Sequence, residues 1–150
     1  MNSLPQIVNG ERLRAMDRTN FEKLRVYQLA ELLADEIWTA VSGWAPFAKQ
    51  TVGVQIVRAA DSVGANIAEG LGRGTILDHR RFIRTARGSL NETKHWLRRT
   101  YRRHLITADL VNKVKPLVDE LSPKLNAYLR SIGSGKAGQS FNNRQPTTDN

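Results

Sequence analysis

The stretch ILDHRRFIRTARGSLNETKHWLRRTYRRHL, residues 76–105, decides the reading of this chain. Placed at about 100° per residue, Phe82, Ile83, Ala86, Ser89, Leu90, Thr93, Trp96, Leu97, Thr100 and Tyr101 gather on one half of a helix, which becomes its core half. Arg80, Arg84, Arg87, Asn91, Lys94, Arg98 and Arg102 fall in a narrow stripe on the opposite half, with Arg81, Arg99 and Arg103 on its shoulder. The stripe is expected to point outward along the whole helix. Thr75 followed by Asp78 resembles a capping box, in which hydroxyl and carboxylate satisfy free amides at the helix start. The helix then extends to about His104, roughly 45 Å at 1.5 Å per residue.

This stretch holds nine basic residues against Asp78 and Glu92, a charge of +7 out of +9 for the whole chain. The other residues carry 14 basic and 12 acidic side chains, so the excess is local and not a bias of composition. Like charges three and four residues apart weaken an isolated helix by about a few tenths of a kcal/mol per pair. An arrangement that opposes folding suggests a surface built for a polyanion. Charge runs are ordinarily solvated faces of mixed sign, but acids are almost absent from this one. Arginine predominates, and its guanidinium fork pairs bidentately with phosphate and stacks on bases. The expected nucleic-acid contacts are therefore Arg80, Arg81, Arg84, Arg87, Lys94, Arg98, Arg99, Arg102 and Arg103, with Arg73 extending the surface. The competing reading is a solubility face, or a scaffold that binds an acidic protein and has no role for nucleic acid.

Moving outward, three more segments have helical periodicity. The first is predicted from about Asn20 or Phe21 to Ser42, with Leu24, Tyr27, Ala30, Leu33, Ala34, Ile37, Trp38 and Val41 recurring at spacings of three and four; Gly43 stops it. Pro46 marks the connection. The second runs from about Ala48 to Glu69 with Val52, Ile56, Ala59, Ala60, Val63 and Ile67 inward. Its small residues, among them Gly53, Ala59, Ala60, Gly64 and Ala68, let a neighbouring backbone approach closely. The last helix is capped by Thr107 and has an apolar seam of Leu110, Val114, Leu117, Leu121, Leu125, Tyr128 and Ile132. Pro116 and Pro123 each delete a donor and are expected to bend or split it, with Ser122-Pro123 restarting it as cap and first residue. Four amphipathic helices on short connections predict an all-α, antiparallel up-down-up-down four-helix bundle over residues 20–132. Residues 1–19 and 133–150 lack sustained periodicity and are expected to be a mobile arm and tail.

A chain of 150 residues with 40% apolar content suits one domain. It has no cysteine, which excludes disulfide scaffolds, thiolate metal sites and cysteine nucleophiles. It also has no apolar run near the roughly 20 residues that a membrane span needs. With no basic head followed by an apolar stretch at its start, a cytoplasmic protein is expected.

Weaker motifs add little chemistry. Glu92 and His95 have the Glu-x-x-His spacing of di-iron bundles, but they project onto the basic side and have no second copy, so no metal or other cofactor is expected. His79 and His104 sit near helix ends without catalytic partners. Gly70-Leu-Gly-Arg-Gly74 precedes a helix but lacks the lysine, hydroxyl residue and preceding strand of a phosphate loop; a tight helix connection is expected. Trp38, Trp44 and Trp96 lie in or beside helical seams as packing residues, with one available for a subunit interface.

The string from Arg58 through Ala59, Ala60, Asp61, Ser62, Val63, Gly64, Ala65, Asn66, Ile67, Ala68 and Glu69 to Gly70 resembles the signature of small four-helix-bundle proteins encoded in bacterial ribosomal RNA intervening sequences. Phe21 to Ala30 and Ala86 to Glu92 fit the same pattern, so the resemblance covers residues 20–132. It implies a homopentamer without enzyme activity, in which Asn66 and Glu69 organise the helix end. Related proteins are the accessory variability determinants of diversity-generating retroelements, basic pentameric barrels that bind RNA or DNA and a reverse transcriptase. The arginine-rich third helix leans toward that role.

Overall fold

The structure is a computed structural model that describes residues 24–134. The expected arm (residues 1–19), residues 20–23 of the expected first helix and the tail beyond Ser134 lie outside the described residues. Four principal helices are present, and no strand occurs among the described residues. They are α1 (Arg25–Ser42), α2 (Val54–Leu71), α3 (Ile76–Arg102) and α4 (Ala108–Ser131). α1 packs on α2 and α4, and α2 packs on α3. The α3–α4 seam is the sparsest side of the antiparallel four-helix bundle.

The periodicity of each segment builds one core. Leu29, Leu33 and Ile37 from α1, Ile56, Val63 and Ile67 from α2, Ile83 and Leu90 from α3, and Leu121 and Leu125 from α4 are fully buried. Each such side chain contributes roughly 1.5–3 kcal/mol of burial. Two threonines join this core without a desolvation penalty for their hydroxyls: Thr93 donates to the Ser89 carbonyl at 2.8 Å, and Thr100 to the Leu97 carbonyl at 3.0 Å. Trp38 departs from the expected seam and is 61% exposed, because Ile37 holds the inward bearing and its neighbour falls about 100° away. Tyr101, expected in the core half of α3, is 59% exposed where α3 runs past the start of α4.

Pro46 does more than connect. It opens a short helix, Pro46–Ala48, which passes through a π-helical turn, Lys49–Gly53, into α2 without a break. Proline suits that opening position because its fixed φ is helical and its missing donor has no intrahelical partner to lose. Gly53 in the π turn is a true close approach: a Cβ there would lie 2.8 Å from Val41 Cγ1. Gly70 is another, with a Cβ 3.1 Å from Phe82 Cβ and 3.2 Å from His79 Cδ2, so it sets how tightly the end of α2 crosses the start of α3.

The threonine caps of the later helices form as expected, whereas the Asp78 carboxylate turns to Arg81 instead of a free amide. Thr75 Oγ1 accepts from the Asp78 amide at 3.1 Å, and Thr107 Oγ1 from the Leu110 amide at 3.2 Å. The Asp78 carboxylate faces Arg81 at 3.6 Å. α3 ends in a paired closure, with the Leu105 amide donating to the Thr100 carbonyl at 2.9 Å and the His104 amide to the Tyr101 carbonyl at 3.1 Å. His104 occupies the left-handed position, φ 58°, that glycine usually fills. The expected split of α4 does not occur: the helix runs continuously through both prolines, and Ser122 starts no new element. Both rings are exposed, and the carbonyls they leave free belong to the exposed Asn112 and Asp119, where water can replace the lost donor.

Candidate nucleic-acid interface

The charged stripe does not stand directly opposite the core. Ile83, Ala86, Leu90 and Thr93 mark the buried bearing of α3, and Arg80, Arg84, Arg87, Lys94, Arg98 and Arg102 lie roughly 110° around the helix from it, on the side of α4. Two of them reach α4 and are held there. The half-buried Arg80 donates through Nη1 to the Leu129 carbonyl at 3.0 Å and the Ile132 carbonyl at 2.7 Å, closing the C-terminal end of α4. Lys94 Nζ donates to Ser122 Oγ at 2.6 Å. The expectation of a stripe directed outward throughout is therefore corrected at these two positions, because α4 offers oxygen acceptors within their reach.

Others are partly engaged. Arg73 pairs with Glu69 and lies 4.8 Å from the Phe82 ring centroid, while Arg81 approaches the same ring at 5.1 Å and Asp78 at 3.6 Å. Glu69 and Arg73 thus tie the α2–α3 connection together, and Asn66 Nδ2 donates to the Ser62 carbonyl at 2.7 Å. Gly72 to Thr75 form the tight connection expected of the glycine-rich string, whose Gly70 and Leu71 still belong to α2. Arg99 is partly buried. The remaining arginines, Arg84, Arg87, Arg98, Arg102 and Arg103, are exposed and form no ion pair among the described residues. Arg84 and Arg102 share one bearing about 27 Å apart along the axis, with Arg98 one turn before Arg102.

Between α3 and α4 the sparse packing leaves a groove of about 300 Å³, lined by Leu97, Tyr101, Ile106, Val111, Val114 and Val118, with Lys94, Arg98, Lys115 and Asp119 at its margin. Lys115 and Asp119 pair at 2.5 Å. Periodicity places Tyr101 inward, whereas the structure sets it in the groove lining; the sequence signal for the groove is a tyrosine followed directly by Arg102 and Arg103 at a helix end.

Glu92 and His95 are exposed and both engage Trp96: Glu92 Oε1 accepts from the indole at 3.3 Å, and the imidazole meets the ring edge-on at 4.9 Å. No cluster of three or more metal-ligating side chains occurs among the described residues. His79 is hydrogen-bonded to the Tyr128 hydroxyl at 3.1 Å, and burial lowers the imidazole pKa and raises that of the phenol. On the far side of the bundle, desolvation raises the Asp61 pKa, with Asp35 nearby adding to the effect. Arg25 donates to both Glu120 oxygens at 2.8 and 2.9 Å, and these hydrogen bonds hold the carboxyl below its usual range. No helix among the described residues is long and apolar enough to cross a membrane.

The geometry defines a basic four-helix bundle with exposed guanidinium groups along one helix that form no ion pair among the described residues. Residues 22–127 match the family profile described as 23S rRNA-intervening sequence protein, and the chain belongs to that family. A crystal structure titled as a protein with unknown function from the S23 ribosomal protein family of Bacteroides thetaiotaomicron superposes with a TM-score of 0.62 at 22% identity, covering 71% of this chain and 99% of that one. That likeness concerns the fold. No curated protein matches the chain.

Proposed function

We propose that this protein is a nonenzymatic RNA-binding bundle whose contact surface is α3. The observation that carries this reading is the row of exposed arginines, Arg84, Arg87, Arg98 and Arg102, on one rigid helix with no ion pair among the described residues. Such a row binds phosphates with little regard for sequence and is sensitive to salt. Arg80 acts in this reading as a strut for α4, and Lys94 as a positioned cation at the groove margin.

Self-association fits the exposed apolar side chains at the α1–α2 end. Trp38 and Val54 flank a shallow groove there, and Phe47 is 82% exposed. A pentamer is the state that the resemblance to the rRNA intervening-sequence proteins implies, and several copies of α3 acting together multiply weak phosphate contacts through effective concentration. The retroelement resemblance nominates a reverse transcriptase as protein partner, with DNA as an alternative nucleic acid, and the cysteine-free sequence fits a cytoplasmic setting.

A salt titration of RNA binding tests the reading. Four phosphate contacts per protomer predict a slope of log Kobs against log salt of roughly −3 on single strands. A scaffold for an acidic protein predicts no complex with RNA at any salt concentration.

A further inference from the structure

The exposed arginines do not by themselves distinguish paired from unpaired nucleic acid, since both present phosphates. The groove beside them does. Its walls are aliphatic, supplied by Leu97, Val111, Val114 and Val118, and its mouth carries the ring of Tyr101 at 59% exposure. Lys94 and Arg98 stand on one margin and Lys115 on the other. Lys94 is held toward α4 by Ser122 at 2.6 Å, and Lys115 is steadied by Asp119, so two of the three cations are positioned without a ligand. Arg102 and Arg103 follow Tyr101 directly in the chain and are exposed.

An aromatic ring and aliphatic walls within a rim of cations complement a ligand with a flat apolar face and negative charges on either side. A nucleotide has that form when its base is free. In a duplex the bases are stacked and paired, and only phosphates and groove edges reach a convex helix surface. In a single strand a base can leave the stack, lie against an aromatic side chain and keep its flanking phosphates on basic groups. A volume of about 300 Å³ lies at the small end for ligand pockets, suited to one base and its sugar.

We propose that the α3–α4 groove receives an unpaired base stacked on Tyr101, with Arg98, Lys94 and Lys115 on the flanking phosphates, and that the protein therefore prefers single-stranded to duplex RNA. This inference rests on the RNA-binding reading of α3 and adds the class of RNA that the surface selects. Tyr101 supplies the selectivity, and the free arginines supply most of the attraction. Because stacking tolerates any base, the preference concerns strandedness and not sequence.

The experiment is fluorescence anisotropy of the full chain with a labelled short oligoadenylate and with an RNA hairpin of equal phosphate number. The parent protein is expected to bind the oligoadenylate more tightly. Tyr101→Ala reduces the single-strand to hairpin affinity ratio by roughly 5- to 150-fold, the range expected for one stacked base. Tyr101→Phe keeps the ring and restores the preference. Tyr101 is exposed, so neither change removes core packing. Salt-sensitive binding of both RNAs with no preference, or a ratio unmoved by Tyr101→Ala, overturns the inference and leaves the RNA-binding reading standing. Binding of neither RNA, with the groove taken instead by an acidic amphipathic peptide, overturns both.

Discussion

Replacing Arg80 by alanine separates an arginine that holds the fold from those that face solvent. Its guanidinium donates to two carbonyls at the end of α4, at 3.0 and 2.7 Å, and links residues 49 and 52 positions apart. A hydrogen bond with a charged partner contributes roughly 1.5–3 kcal/mol, but Arg80 is only half-buried and both carbonyls can turn to water once it leaves. The expected net loss is therefore about 2 kcal/mol for the pair. For a folded unit of this size that lowers Tm by about 8 °C, and in urea it shifts the midpoint without changing the slope. Thermal and urea melts followed by circular dichroism measure both quantities. Because the group is engaged on α4, Arg80→Ala leaves the salt slope of RNA binding unchanged below its melting range, while Arg98→Ala reduces the slope by about 0.7. An Arg80→Ala protein that melts within about 1 °C of the parent refutes the strut.

Other perturbations follow from particular contacts. Gly70→Ala gains helix propensity but brings a methyl to 3.1 Å from Phe82 Cβ and 3.2 Å from His79 Cδ2, so a net destabilisation of about 1–2 kcal/mol is expected in the same melts. His104→Gly relieves a left-handed residue at φ 58° and adds freedom to the unfolded chain; the difference is a gain of about 0.5–1 kcal/mol in denaturant unfolding. Burial holds the His79 pKa below its ordinary value, so the unfolded chain takes up the proton first on acidification. The stability due to neutral His79 is complete above that ordinary value and lost as pH falls through the folded one; His79→Gln flattens this limb of the pH–stability curve. Asp61 has the opposite sign in pH, since desolvation and then Asp35 raise its pKa. Its contribution is complete at acid pH and declines as pH rises through the folded value, so Asp61→Asn gains stability relative to the parent at neutral pH and not at acid pH.

Features governed by local chemistry were legible in the sequence. Thr75 and Thr107 cap because a hydroxyl and an amide three residues on meet within one turn, and the seams of Ala30, Leu33 and Ile37 or of Ile83, Ala86 and Leu90 need only the helical period. What escaped depends on where a second element lies. Arg80 and Lys94 share a bearing with Arg98, yet two of the three are engaged by α4, and no pattern within α3 separates them. Tyr101 has an inward bearing but meets the sparse end of the α3–α4 seam. The prolines of α4 are tolerated because their rings face solvent, which the bundle arrangement decides. In the candidate site, the type and number of cations could be read from residues 76–105, but their division into struts, ring-engaged groups and free contacts could not.

Charge reversal measures most directly whether the exposed arginines of α3 bind RNA. Arg84, Arg87, Arg98 and Arg102 are changed together to Glu, and RNA affinity is compared with the parent at low salt, with circular dichroism and sedimentation showing that helicity and assembly persist. All four are exposed and unpaired among the described residues, so folding does not depend on them. RNA binding is expected to be abolished in a folded protein of parental assembly; parental RNA affinity in that variant contradicts an RNA-binding role for α3.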